Sequence, residues 1–219
     1  MAHWLVTGCN RGIGLELCRQ LADRGERVIA VCRSSSAELD GLGVRVESGI
    51  DLIDEGCIDA LMHRLDGLEL AGAILNAGIL EADGLEQISA DSVRRQFEVN
   101  ALAPLLMSQA LLCNLRSGSK LALITSRMGS IDDNSSGGYY GYRMSKTALN
   151  MAGRSLAIDL QPRGIAVAIL HPGMVATRMV RFSGIAPAEA ARGLLARIDA
   201  LTLTSSGNFW HANGEALPW

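Results

Sequence analysis

The sequence predicts an α/β protein: a single doubly wound domain with a seven-stranded parallel sheet in the order 3-2-1-4-5-6-7 and helices on both faces. Three observations lead there. Apolar runs alternate with segments of helical spacing along the whole chain. Most of those runs are continuous, as strands covered on both faces require. The first connection, TGCNRGIG (7–14), packs three glycines between an apolar run and a helical segment. The 219 residues suffice for one core of this kind. No linker, repeat or low-complexity tract divides residues 1–219.

The elements follow in order. HWLVT (3–7) reads as the first strand and residues 13–24 as the first helix. RVIAVC (27–32) and VRVES (44–48) read as the next two strands. Ile53, Cys57, Ile58, Leu61, Met62 and Leu65 recur at helical spacing over 53–66. LAGAILN (70–76) is the fourth strand. Residues 90–113 read as a long helix with a kink or break near Pro104, because proline lacks the N–H the helix needs. KLALIT (120–125), a helix over 140–160, IAVAIL (165–170), a helix over 187–200 and a short strand, GNFWH (207–211), complete the chain.

Composition narrows the function. The apolar fraction is 48% and the formal net charge −3, with both signs dispersed, which argues against disorder and against nucleic acid as the main partner. Five cysteines with no C-x-x-C pair signal neither a disulfide framework nor a zinc site, and read as small buried apolar residues in a reducing compartment. His3, His63 and His211 show no ligand spacing and His171 reads as the end of its strand, so no metal is expected. No apolar run reaches membrane-spanning length and no leader precedes the first strand, so the expectation is a cytoplasmic protein with no membrane partner.

A strand, a glycine-rich turn and a helix form a phosphate cradle, where backbone N–H groups and the positive helix end face an anion. Gly8 permits the tight turn. Gly12 and Gly14 allow close approach of a pyrophosphate and close packing of helix on strand, with Asn10, Arg11 and Ile13 beside them. The plain alternative is a turn that serves packing alone. The end of the second strand sharpens the choice. NAD sites place an acidic residue there for the ribose hydroxyl. This chain has CRSSS, with Arg33 and Ser34 at that point. A guanidinium matches a phosphate in charge and donor geometry, so Arg33 and Arg11 favour NADP (NADPH) over NAD.

In YRMSK, Tyr142 and Lys146 stand four apart on a predicted helix and share a face. A free phenol titrates near pH 10, and a neighbouring ammonium is expected to lower that value and make proton exchange possible. Ser126 ends the fifth strand, at the carboxyl edge where ligands bind in such sheets, and can hold a substrate oxygen. An ordinary amphipathic surface pair is the plain alternative for Tyr142 and Lys146.

Taken together these motifs resemble the short-chain dehydrogenases/reductases over nearly the whole chain. TGCNRGIG is similar to that family's TGxxxGxG turn. The resemblance makes Asp51 and Leu52 an adenine site, Asn76-Ala77-Gly78 the NAG that ends the fourth strand beside the cofactor, and Asn100 the fourth member of a tetrad with Ser126, Tyr142 and Lys146. There Asn100 acts through a water to the lysine, and Tyr142 and Lys146 also contact the cofactor. HPGMVATRM (171–179) is similar to the family's PG-x-V-x-T segment, implying that Pro172, Gly173, Val175 and Thr177 line the nicotinamide. CNRGIG, YRMSKTALN and the closing NGEALPW resemble the C-factor-like and carbonyl-reductase-like branch, which mostly uses NADPH.

Three departures stand out. Leu75 replaces a first Asn before NAG. The interval from Ser126 to Tyr142 is a few residues longer than usual. The segment after Thr177 is short where many members carry a helical lid. The implied activity is NADPH-dependent reduction of an aldehyde or ketone to an alcohol, with Tyr142 as proton donor. The alternative is an NADP(H)-binding regulatory or signalling protein of C-factor type. A sugar-nucleotide epimerase or dehydratase fits poorly. Residues 127–138 and 178–187 are expected to shape the substrate pocket. The resemblance also implies a homodimer or homotetramer through the helices at 90–113 and 140–160. Ala148, Ala152 and Ser155 would suit that contact, or equally simple packing on the sheet. Phe209, Trp210 and Trp219 read as structural.

Overall fold

The computed structural model describes residues 2–180 and 182–219; Arg181, inside the 178–187 stretch expected to shape the pocket, lies outside them. The first strand, β1 (His3–Thr7), is central. It pairs in parallel with β2 (Arg27–Val31) from His3↔Arg27 to Thr7↔Val31, and on its other side with β4 (Leu70–Leu75). With β3 (Arg45–Glu47), β5 (Leu115–Ile124), β6 (Ala166–His171) and β7 (Phe209–His211) the order is β3-β2-β1-β4-β5-β6-β7, all parallel, as predicted. The winding reverses between β1 and β4, so the carboxyl ends of those two strands open the crevice where such sheets bind ligands.

Burial on both faces explains the continuous apolar runs. Within β1, Val6 faces a core under α1 (Gly12–Asp23) and α7 (Pro187–Asp199), with Leu17, Leu21, Ile74, Leu170 and Leu194. Its neighbour Leu5 faces the opposite core under α3 (Glu55–Arg64), α5 (Ala103–Ala110) and α6 (Tyr140–Leu160), with Ile29, Leu61, Met107, Leu123 and Leu149. Each fully buried side chain of this size contributes roughly 1.5–3 kcal/mol. A short α2 (Ala37–Asp40), which the sequence reading missed, starts where Ser36 accepts a hydrogen bond from the Leu39 N–H.

The predicted 90–113 helix is divided. Residues Ala90–Phe97 form α4, Glu98–Leu102 make one π-helical turn, and α5 follows with Pro104 at its start. The break lies upstream of the proline because its ring and missing N–H disturb the turn that precedes it, at the carbonyl of Asn100. Strand β5 begins five residues earlier than predicted, through a register shift between Leu70↔Leu115 and Gly72↔Lys120, with Gly118 at φ +91°. Cys9, Cys18 and Cys32 are buried as expected, whereas Cys57 is half-buried and Cys113 exposed. Among the described residues no helix is long and apolar enough to cross a membrane.

Candidate active site

The glycine turn is forced by its neighbours. Gly8 adopts φ +66°, and a β-carbon there would lie 2.7 Å from the Ala77 Cα. A β-carbon on Gly14 would collide with the Gly8 carbonyl and lie 2.7 Å from Asn76 Nδ2. Asn76 closes the crevice from β4: its Nδ2 donates to the carbonyls of Thr7 (3.1 Å) and Gly8 (3.2 Å). Thr7 Oγ1 accepts in return from the N–H groups of Asn76 (3.1 Å) and Ala77 (3.2 Å). At Gly12, φ is +58° and a β-carbon would sit 3.3 Å from the Thr177 methyl, so the segment after β6 reaches back to the turn. Asn10 and Ile13 are half-buried on the same turn. Arg11, Arg33 and Ser34 are exposed. Among the described residues neither guanidinium is bonded to another protein group. Asp51 and Leu52 lie half-buried after β3, and Leu52 shares a crevice with Thr7, Leu75 and Ala77. Pro172 and Val175 are buried, and Gly173 has φ +88°.

The structure brings Ser126, Tyr142 and Lys146 together at the carboxyl end of β5, all buried. Lys146 Nζ donates to the Ile124 carbonyl (3.0 Å) and lies 5.8 Å from the centre of the Tyr142 ring. Ser126 Oγ accepts from the Met128 N–H (3.2 Å). The expected depression of the phenol by the ammonium does not dominate. Burial pushes the Tyr142 phenol up to about 12, and the Ser126 hydroxyl is the group that pulls the other way. Burial also lowers Lys146 to about 8. Both shifts have one physical cause: the charged form of each group loses solvation in this pocket.

The residues that fix this trio escaped the sequence reading. Thr125 Oγ1 donates to Asn150 Oδ1 (2.7 Å), while Asn150 Nδ2 (3.2 Å) and Thr147 Oγ1 (2.9 Å) donate to the Gly129 carbonyl. These bonds clamp the 3-10 turn Arg127–Gly129 against α6. Gly129 has no room for a side chain, because a β-carbon would lie 2.7 Å from the Lys146 carbonyl carbon. A lone glycine three residues after a candidate serine was the only local hint.

Asn100 sits in the π turn with its side chain fully engaged. Its Oδ1 accepts from the Ile79 N–H (2.8 Å), and its Nδ2 donates to the Ile79 carbonyl (2.9 Å) and to Ser145 Oγ (3.0 Å). Ser145 Oγ donates onward to the Tyr142 carbonyl (2.8 Å). A β-carbon at Gly78 would come within 3.1 Å of Asn100 Oδ1 and 3.5 Å of Lys146 Nζ, so Gly78 packs close to both. Among the described residues no hydrogen bond joins the Asn100 side chain to the lysine. Its main-chain carbonyl is the group to which Pro104, four residues on, offers no N–H.

The polar 127–138 loop is well tethered. Arg127 pairs with Asp133 (2.9 Å) and Glu215 (2.7 Å). The Trp219 main-chain oxygen accepts from the Asp132 N–H (2.9 Å) and Ser130 Oγ (3.1 Å). The Trp219 ring stacks on Phe209. His171 packs edge-on against His211, and burial lowers it to about 3, so it stands neutral at the end of its strand. Beyond Gly173, a bridge between Val175 and Ile185 closes a short loop with Phe182 exposed at φ +60°. Among the described residues no group of three or more His, Cys, Asp or Glu could hold a metal ion.

Comparisons with known proteins show the family and the fold. A family model described as short chain dehydrogenase matches residues 2–186. The chain is 42% identical over 226 residues to a 1-hydroxy-2-glutathionyl-2-methyl-3-butene dehydrogenase of Rhodococcus sp. (strain AD45), covering all of both chains. It is 47% identical over 128 residues to a protein named C-signal from Myxococcus xanthus, spanning 57% of this chain and 77% of that one. The crystal structure of a carbonyl reductase from Pseudomonas aeruginosa PAO1 in complex with NADP superposes with a TM-score of 0.87 at 30% identity, covering 100% of each chain.

Proposed function

The chain belongs to the short-chain dehydrogenase/reductase family, and from that premise we propose that it is an NADPH-dependent oxidoreductase that reduces an aldehyde or ketone to an alcohol. The observation that carries the reading is the burial of Ser126, Tyr142 and Lys146 together, at the sheet edge that also holds the glycine turn.

The cradle fits NADP(H). The Gly8–Gly14 turn leaves no space for side chains where a pyrophosphate would approach. Arg11, Arg33 and Ser34 stand exposed where the adenosine 2′-phosphate would lie. The carbonyl reductase with bound NADP supports the same choice over NAD. We assign cofactor contacts to Gly8, Asn10, Arg11, Gly12, Ile13, Gly14, Arg33, Ser34, Asp51, Leu52, Asn76, Ala77, Gly78, Tyr142, Lys146, Pro172, Gly173, Val175 and Thr177. When bound, the cofactor supplies the hydride.

The protein supplies orientation and the proton. Ser126 Oγ holds the carbonyl oxygen. Tyr142, a phenol protonated at neutral pH and held there more firmly by burial, which raises it to about 12, donates its proton to that oxygen. Lys146 places positive charge beside the ring and steadies the phenolate that results. The Asn100 carbonyl accepts from a water that returns a proton towards Lys146. The reverse reaction oxidises an alcohol, and the Rhodococcus relative's name adds alcohols bearing a glutathionyl group to the substrates worth testing. Exposed Met144, Met151 and Ile158, spaced seven apart on α6, and Phe97, Leu102 and Leu105 on the α4–α5 side support a homodimer or homotetramer through these helices. We expect a cytoplasmic enzyme.

The deciding experiment is a fluorescence titration of wild type and Arg33→Asp with NADPH and NADH. Tight NADPH binding that weakens about 10–100-fold in the variant supports the assignment. Absence of binding by either nucleotide at micromolar concentration overturns it. The similarity to C-signal keeps a second reading in play, a signalling protein that binds NADP(H) without needing turnover. That reading requires Tyr142→Phe to keep its biological effect.

A further inference from the structure

The start of α6 is held from outside the helix. Tyr139, just before it, has φ +53° and gives no side-chain cap. The cap comes from Asp83, on the connection after β4. Its carboxylate accepts from the main-chain N–H groups of Tyr140 and Gly141 (3.0 Å for Gly141), and its carbonyl accepts from Tyr139 (3.0 Å). Gly141 is itself pressed against α4, since a β-carbon there would lie 2.7 Å from Gln96 Nε2. Tyr142 is the next residue.

The segment that carries Asp83 is fastened along its length. Ile79 is bonded through both main-chain groups to Asn100. The Glu81 N–H donates to Gln96 Oε1 (3.0 Å), and the Glu81 carboxylate takes a two-point bond from Arg95 (2.9 and 2.6 Å). Residues 79–83 thus form a strap from the π turn to the catalytic helix. The far end of the same network returns through Ser145 to the Tyr142 carbonyl. One connected set of bonds thus holds the main chain at the Gly141 N–H, just before Tyr142, and at the Tyr142 carbonyl.

We propose that Asp83 is a positioning residue for Tyr142: it fixes the first turn of α6 and sets the charge beside the phenol. This rests on the reading of Tyr142 as the proton donor. A carboxylate at a helix amino end offsets the positive end of the macrodipole. Without it, that end acts on Tyr142 uncompensated and favours the phenolate. The other charged groups nearby are Lys146 on the same helix, the Glu81–Arg95 pair on the strap and α4, and Arg143, which is bonded to the Gly138 carbonyl (3.1 Å) and Ser136 Oγ (2.8 Å).

The test compares wild type, Asp83→Asn, Asp83→Ala and Tyr142→Phe in the intact protein. Reduction of 4-nitrobenzaldehyde with NADPH and oxidation of 4-nitrobenzyl alcohol with NADP⁺ are followed against pH, alongside NADPH affinity by fluorescence. In Asp83→Asn, which keeps one acceptor, the midpoint of the rising limb for oxidation moves down by roughly half a pH unit. In Asp83→Ala, kcat falls at least about tenfold while NADPH affinity stays within about twofold, and Asp83→Asn recovers most of the loss. A midpoint that coincides with wild type in Asp83→Asn overturns the proposal even if the rate falls, because a purely structural cap lowers rate and stability without moving the titration. Should Tyr142→Phe retain turnover, the proton-donor reading falls and takes this one with it. Loss of turnover in Tyr142→Phe with unmoved midpoints in Asp83→Asn overturns this inference alone.

Discussion

The two sides of the crevice are built from different materials. On the β1–β2 side the site is made of backbone. Gly8 and Gly12 take left-handed conformations, Gly14 makes room, and Arg11 and Arg33 stand exposed in solvent. On the β5–β6 side it is made of side chains. Ser126, Tyr142 and Lys146 are buried, and Thr125, Ser145, Thr147 and Asn150 tie the segments that carry them. The contrast follows from the tasks proposed for the two sides. A ready-made anion needs N–H groups and space, which a short local turn provides. Moving a proton needs two hydroxyls held within tenths of an ångström, which calls for a rigid network.

Substitutions can break or sharpen this contrast. The largest effect is expected from Tyr142→Phe. Turnover of a carbonyl substrate should fall by about 10²–10⁴-fold with NADPH affinity within about twofold, read by steady-state rates and fluorescence. Equal losses in both would mean that the two sides are not separable. Next comes the pH dependence of stability. Lys146 titrates at about 8 in the folded chain against 10.5 as its ordinary value. Between those values the unfolded chain holds a proton that the folded chain has shed, so stability rises with pH across that window, by on the order of 3 kcal/mol in total. Denaturant curves of Lys146→Met should lose that rise, and an unchanged slope would assign it to other groups.

Gly14→Ala tests the backbone side. The new methyl collides with the Gly8 carbonyl, at a cost of about 1–3 kcal/mol, so Tm should drop and NADPH binding should disappear. Retained binding would mean the turn tolerates displacement that its packing forbids. The smallest effect is expected from Thr125→Val. Losing its bond to Asn150 should cost about 1–2 kcal/mol and lower kcat with NADPH affinity unchanged, measured by thermal melts and rates.

The same contrast governs what could be read from the sequence. The glycine turn was legible because its parts are contiguous and each glycine has a steric duty. The parallel sheet was legible because both faces of β1, at Leu5 and Val6, are apolar, and the strand order followed from the doubly wound fold class. On the other side only residue identities were legible. Tyr142 and Lys146 share a helix face, but nothing local announces that Asp83 caps that helix or that Gly129 must be bare beside Lys146. Those facts depend on contacts between distant segments. The helix break was read from Pro104 yet lies at Glu98–Leu102, because a proline acts on the turn before it. The tyrosine's acidity was misjudged for a related reason. Charge proximity can be inferred from spacing, whereas burial, which raises the phenol to about 12, cannot.

The seam between β1 and β4 also carries a cost in time. Gly8 packs on Ala77, and Asn76 bonds to the main chain of Thr7 and Gly8, so the turn is complete only when the fourth strand is in place. During synthesis residues 7–14 are made well before residues 76–78. At about 5–20 residues per second the unfinished turn waits roughly 3–13 s for its partner. A chain ending before Asn76 would keep the glycine signature without the contacts that shape its turn.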